Sequence, residues 1–200
     1  MLNIRIEKTT CPKAKPADET KLGFGKIFTD HMFVMDYAEG KGWHDPRIVP
    51  YGPFSLDPAP VVFPYAQELF EGMKAYRTAE NKIQLFRPDC NANRFIDGCN
   101  RMGIPPIPAE DFVQAVEELV RVEKDWVPHT DGASLYIRPY VFATDVGLGV
   151  HASKNYTFVI IAAPSGAYYA EGINPVKIYV EDEYIRAAPG LTGFAKCGGN

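Results

Sequence analysis

The run Tyr156-Thr-Phe-Val-Ile-Ile-Ala-Ala163 constrains the fold most. Its β-branched and aromatic residues favour a strand, and almost nothing polar interrupts them. A strand apolar on both faces must be covered on both, which places it inside a sheet. The run is far too short to cross a bilayer. A second strand is expected over Ala133 to Ala143. Its centre, Ser134-Leu-Tyr-Ile-Arg-Pro-Tyr140, alternates, so Tyr136, Arg138 and Tyr140 share one face and Leu135 and Ile137 the other. Two phenols and a guanidinium are costly to bury without partners. That face suits a pocket for a carboxylate or an amino acid; an amphipathic strand with one wet face is the other reading.

Helices must cover this sheet. The pattern gives the clearest one over Ala109 to Val127, with Phe112, Val116, Leu119 and Val120 on one face, Glu110 and Asp111 at its start and Pro128 after its end. Another runs from Asn91 to Met102 and stops at Gly103. Met73 to Arg77 and Lys82 to Phe86 flank Thr78-Ala-Glu-Asn81 as a hairpin. Ile27 to Tyr37 reads as a strand. Gly40 to Pro60 holds five prolines and three glycines and reads as loops with short edge strands. Phe63 to Gly72 reads as a short turn or helix. If it is helical, Tyr65 and Phe70 lie about one turn apart and line the same cavity, although aromatic core packing is the commoner meaning of such a pair. Residues 1 to 22 are polar and proline-bearing, a loosely attached arm. Val176 to Glu181 begins another strand and a second domain. The fold class is therefore α/β (α+β).

Composition narrows the function classes. A net charge of −4 argues against a nucleic-acid footprint. Cys11, Cys90, Cys99 and Cys197 form no CxxC pair and read as reduced thiols of a cytoplasmic protein. The start lacks a signal-peptide core and no stretch reads as a membrane span. No metal spacing is present.

The segment Pro189 to Asn200 carries the chemistry. Lys196 sits among Gly190, Gly193, Gly198 and Gly199, which let a ligand approach the backbone closely. A lysine held beside a cofactor can act as a nucleophile, as a Schiff base to pyridoxal phosphate requires; a surface lysine in a flexible tail is the alternative. Arg94, in Asn91-Ala-Asn-Arg-Phe, offers a fork that matches a phosphate, or is a plain surface arginine.

Phe28-Thr-Asp-His-Met32, Tyr65-Ala-Gln-Glu-Leu-Phe-Glu-Gly-Met-Lys-Ala-Tyr76, Ser134-Leu-Tyr-Ile-Arg-Pro139, Leu148-Gly-Val150 and Thr192-Gly-Phe-Ala-Lys-Cys-Gly-Gly-Asn200 occur in this order. Together they closely resemble the branched-chain amino acid aminotransferases of the fold-type IV pyridoxal phosphate class. The resemblance runs from about Gly23 to the last residue. It implies an N-terminal arm (1–22), a small α/β domain (23–168), a linker (169–175) and the start of the large pyridoxal-phosphate-binding domain (176–200).

The resemblance also implies transfer of the amino group of leucine, isoleucine or valine to 2-oxoglutarate in a cytoplasmic homodimer. Lys196 would match the lysine that carries the cofactor, Arg94 the phosphate-binding arginine, and Arg186 an arginine near the cofactor. Phe28, Tyr65, Phe70, Tyr136, Arg138 and Tyr168 would match substrate-pocket positions. Leu148 and Val150 would match a loop that reaches the partner subunit's pocket. Family members continue for over a hundred residues past this lysine, so the 200 residues alone are expected to be inactive. The alternatives are a sister enzyme of the same fold (a D-amino acid aminotransferase or aminodeoxychorismate lyase) or a catalytically incomplete fragment.

Overall fold

The computed structural model describes residues 1–167 and 174–198. Its spine is a pair of long antiparallel strands, β7 (Ser134–Ala143) and β8 (Asn155–Ser165), paired from Ser134↔Ser165 to Ala143↔Tyr156. On the other side of β8 lies β2 (His31–Ala38), antiparallel from Phe33↔Ile160 to Ala38↔Asn155. Next comes β3 (Gly42–Pro50), with the two-residue β1 (Arg5–Ile6) parallel at its outer edge. On the far side of β7 lie β4 (Glu68–Phe70) and β5 (Met73–Arg77), both antiparallel to it, and β6 (Ile83–Leu85) closes the hairpin. β8, the expected central strand, has a ladder on each side and is buried along most of its length.

Helices α2 (Pro88–Met102) and α3 (Ala109–Val122) pack together and cover one face of this sheet. Gly103, at φ 66, ends α2 in the left-handed conformation that glycine adopts without a Cβ penalty. Ala92, Phe95 and Cys99 of α2 and Phe112, Ala115, Val116 and Leu119 of α3 are buried against Phe33, Leu135, Ile137, Phe158 and Ile160. Phe158 is the hub, with its ring 5.6–6.4 Å from those of Phe33, Trp43, Phe95 and Phe112. Burial pushes the Cys99 thiol up to about 12, so it packs as a neutral small hydrophobe.

Several expectations need correction. Gly40 to Pro60 is not loops with short edges: β3 spans nine residues of it. Proline survives there because Asp45 and Pro46 bulge out opposite Met35, between the pairs Val34↔Arg47 and Asp36↔His44. Tyr65 and Phe70 do not share a helix. The short α1 (Val62–Tyr65) ends when Ala66 turns left-handed at φ 50, and Phe70 lies on β4. The long helix stops at Val122 and tightens into a 3-10 turn at Lys124–Trp126. Val176 to Glu181 forms no strand; Ile178, Tyr179 and Val180 are exposed, and a strand exists only where a neighbour completes its ladder. The arm is not loose. Besides β1, Leu2 exchanges two backbone hydrogen bonds with the Gln114 side chain, and Glu19 accepts from the backbone amides of His129 and Thr130. Of the expected linker, residues 169–173 lie outside the described residues.

Phe158→Ala should cost about 3–5 kcal/mol, as removal of a fully packed ring does. Urea unfolding measures it; a loss below about 1 kcal/mol would remove Phe158 from the centre of the core.

Candidate functional site

The other face of β7 carries Tyr136, Arg138 and Tyr140, each half-buried, while Leu135, Ile137 and Val141 point into the core. The alternation is the one expected of a strand with two different faces. Phe70 pairs across from Tyr140, so it joins the same face, and the Arg138 guanidinium lies 4.7 Å from its ring centre. Arg138 Nη2 donates to the Tyr136 hydroxyl at 2.6 Å. Its Nε is buried and has no hydrogen-bond partner among the described residues, a donor held ready for an acceptor. The Tyr136 hydroxyl sits where a Cβ on residue 72 would be 2.3 Å away, so only Gly72 leaves it room. Burial pushes the Tyr140 phenol up to about 12 and keeps it neutral.

β4 and β5 run along β7 as one strand broken at Glu71–Gly72. The break turns Glu71 into the interior, where it is fully buried. Four donors meet it there. Arg94 Nε and Nη2 on α2 reach its two oxygens at 2.5 and 2.8 Å, Asn91 Nδ2 donates at 2.9 Å, and the Gly72 amide at 3.1 Å. A buried carboxylate needs this set of partners to remain charged. The bond to Glu71 holds the Arg94 guanidinium protonated well above its ordinary range. Arg94 itself is half exposed, so its outer edge stays open to solvent.

The lysine segment docks on β4. The Phe70 amide donates to the Lys196 carbonyl at 2.9 Å, and Leu69 bridges to Cys197. At Gly198 a Cβ would lie 2.0 Å from a Glu68 carboxylate oxygen, so the backbone lies flush against β4. Lys196 Nζ lies 4.5 Å from the Phe70 ring centre. One ring therefore borders both Lys196 and Arg138.

These groups line two cavities. The first, about 310 Å³, is bordered by Phe70, Arg94, Arg186 and the Gly193–Cys197 segment with Lys196. The second, about 190 Å³, is bordered by Phe24, Phe28, Tyr136, Arg138 and Ile161 to Ala163. The structure thus brings Lys196, Arg94 and Arg186 together, and separately Phe28, Tyr136 and Arg138, with Phe70 between the sets. Tyr65, Leu148 and Val150 stand apart from both. The Tyr65 hydroxyl donates to the Leu148 carbonyl at 2.8 Å, and Leu148 and Val150 are 83% and 86% exposed. Tyr168 lies outside the described residues. The sequence reading missed Glu71 and Asn91. The spacing of Asn91 and Arg94, three apart on one helix, was the available signal, because such residues reach the same point.

No protein-family model matches the chain. The structure resembles a crystal structure of the branched-chain amino acid aminotransferase of Escherichia coli, with a TM-score of 0.67 and 24% identity over 86% of this chain and 52% of that one. The fold is that of the fold-type IV aminotransferases. Among curated proteins the chain is 56% identical to branched-chain-amino-acid transaminase 1 of Bacillus subtilis, over 98% of its own length and 55% of the relative. It is 51% identical to a branched-chain-amino-acid aminotransferase of Mycobacterium tuberculosis, over 89% of its own length and 49% of that protein. The chain belongs to the branched-chain-amino-acid aminotransferase family, and it spans about half the length of these curated relatives.

Arg94→Ala leaves the Glu71 carboxylate buried with two neutral donors and should destabilise the protein by about 2 kcal/mol, water softening the full cost of a broken buried pair. Adding Glu71→Gln should recover about half of that. Urea unfolding of the single and double variants checks it; losses that simply add would show that the two side chains do not depend on each other.

Proposed function

We propose that this chain bears the cofactor lysine of a cytoplasmic branched-chain amino acid aminotransferase. The reaction moves the amino group of leucine, isoleucine or valine to 2-oxoglutarate and uses pyridoxal 5′-phosphate. The observation that carries the reading is the meeting of Lys196, Arg94 and Arg186 in one cavity, joined through Phe70 to Arg138. The names of the curated relatives support the substrate class, and a solved branched-chain amino acid aminotransferase of similar fold (TM-score 0.52, 24% identity) holds pyridoxamine 5′-phosphate. The division into a small domain to 168, a linker at 169–175 and a large domain from 176 is part of the same proposal.

The residues fit that cofactor. Its phosphate is a dianion, and the cavity presents two guanidinium groups to it. Arg94 has its inner edge fixed by Glu71 and its outer edge open, the arrangement of a preset anion clamp. Arg186, on the stretch that precedes Lys196, lines the same cavity. When bound, pyridoxal phosphate supplies an electrophilic carbon for amines and a conjugated ring that draws electrons from the substrate's α-carbon.

The chain's own residues then do the following. The Lys196 amine would hold the cofactor, and the same amine, when not so engaged, would serve as the base for the substrate's α-proton and as the acid that returns it. The Phe70 ring covers one side of Nζ, excluding water and leaving a short path for that proton. Beyond Phe70, the substrate side chain meets the apolar walls of Phe24, Phe28 and Ile161. Leucine, isoleucine and valine are held there by contact. The glutamate side-chain carboxylate is received by the unpartnered Nε of Arg138 and by the Tyr136 hydroxyl. One cavity thereby accepts both partners of the exchange. Val146, Leu148 and Val150 project from an exposed loop, which in the proposed homodimer covers the partner's pocket.

Two measurements test the proposal in the holoenzyme. Lys196→Ala should abolish leucine–2-oxoglutarate exchange, by at least about 10⁴-fold, because nucleophile and base are lost together; retained turnover would refute the assignment. Arg138→Ala should lower kcat/KM for glutamate about tenfold more than for leucine, which has no side-chain carboxylate to lose a partner. Equal losses would take Arg138 out of carboxylate recognition.

A further inference from the structure

The wall of the second cavity formed by Phe24 to Phe28 is not part of the sheet. Gly23 and Gly25, at φ 63 and 65, turn the chain on either side of Phe24. Two backbone bonds tie this segment to β8 and its end: the Thr29 amide to the Ala162 carbonyl and the Gly166 amide to the Gly23 carbonyl, each 3.0 Å. Between them, no described residue pairs with Phe28 in a ladder. A ladder-free stretch is the first part of a cavity wall to shift.

The N-terminal arm supplies what the ladder does not. Lys13 Nζ donates to the Thr29 carbonyl at 2.8 Å and to the Phe28 carbonyl at 3.2 Å. It also lies 4.5 Å from the centre of the Tyr51 ring, and Tyr51 stacks on Phe28 with ring centres 5.0 Å apart and planes within 9°. One ammonium thus grips Phe28 by its backbone and, through Tyr51, backs its ring. The arm is fixed on either side of that grip. The Lys13 amide donates to Asp30 Oδ1 at 2.8 Å, and Asp30 Oδ2 accepts from Trp126 Nε1 at 2.9 Å. The Thr9 amide donates to His31 Nε2 at 2.9 Å; the other ring nitrogen of His31 bonds Glu123, which is buried at the end of α3. Lys15 lies 5.2 Å from the Trp126 ring.

We propose that the arm is a strap over the substrate cavity and that Lys13 is a positioning residue for specificity. By fixing the Phe28 backbone and Tyr51, it sets how far the Phe28 side closes the 190 Å³ space beside Arg138. The strap excludes apolar side chains that reach farther than the branched aliphatic ones, and it holds the apolar wall against those that fit. This inference rests on the functional reading above for the identity of the substrate, but not for the mechanical coupling.

Lys13 is an exposed residue, so Lys13→Ala opens no hole in the core and the fold should survive it. In the holoenzyme, K13A should raise KM for valine and leucine about fivefold or more, with kcat within about twofold and cofactor affinity unchanged, on the scale of losing bonds from a charged donor. Methionine should gain relative to valine. K13R, which keeps a cation of similar reach, should restore most of the original selectivity. Hydrogen exchange of the Thr29 amide, followed in the cofactor-free protein, should accelerate about tenfold in K13A. Unchanged exchange would overturn the strap whether or not the enzyme transaminates. Faster exchange with unchanged substrate selectivity would overturn the specificity role. An unaltered enzyme inactive on branched-chain substrates would instead defeat the functional reading and leave exchange to decide the strap.

Discussion

Strand β7 has to be dry on one face and polar on the other, and the rest of the molecule is arranged to make that tolerable. Its dry face, Leu135, Ile137 and Val141, is closed by α2 and α3 through the Phe95, Phe112 and Phe158 rings. Its polar face cannot be closed in the same way, because a guanidinium and two phenols need partners or water. Tyr136 and Arg138 partner each other, and Phe70 lies against the guanidinium. The segment from Phe24 to Phe28, which follows the arm, roofs part of the rest. Among the described residues, Arg138 Nε and the Ser134 hydroxyl stay unmatched on this strand, and Arg138 borders a cavity. A strand of this kind is costly as scaffold alone and useful as the floor of a binding site.

The second constraint is the break at Glu71–Gly72. Where the ladder breaks, a Cβ on residue 72 would strike the Tyr136 hydroxyl, so the position is glycine. The break sends a carboxylate into the interior, which only Arg94, Asn91 and the Gly72 amide make bearable. The same break therefore brings α2's arginine beside the lysine segment, and the missing Cβ at Gly72 leaves space for Tyr136. The groups of both cavities are set by one backbone feature, and Phe70, immediately before it, lies against Lys196 and Arg138.

Much of this was legible in the sequence, for reasons of period and punctuation. Alternation along Ser134 to Tyr140 gave both faces of β7, because a strand's side chains repeat every two residues. Gly103 marked the end of α2, and Thr78 to Asn81 marked the hairpin. Other features depended on contacts that no local pattern shows. β3 was hidden by Pro46, which is harmless only because it sits in a bulge. Phe70 was assigned to the wrong kind of element because nothing local forces Ala66 into the left-handed turn that ends α1. Glu71 reads as a turn residue until Arg94, 23 positions later, is placed beside it. The arm looked loose because its ties run to His31, Asp30, Gln114 and His129, all distant in the chain. For the site, the resemblance supplied the residues and the structure supplied their grouping: Lys196 with Arg94 and Arg186, and Phe28 with Tyr136 and Arg138.

In the proposed function, Lys196 is the residue to which pyridoxal phosphate attaches, in the cavity bordered by Arg94 and Phe70. The most direct measurement is to reduce the holoenzyme with borohydride, digest it and locate the phosphopyridoxyl mass by peptide mass spectrometry. The account requires that mass on Lys196, at close to one group per chain, and its removal from that peptide when free phosphate competes for the cavity before reduction. A phosphopyridoxyl group found on other lysines with Lys196 unmodified would contradict it.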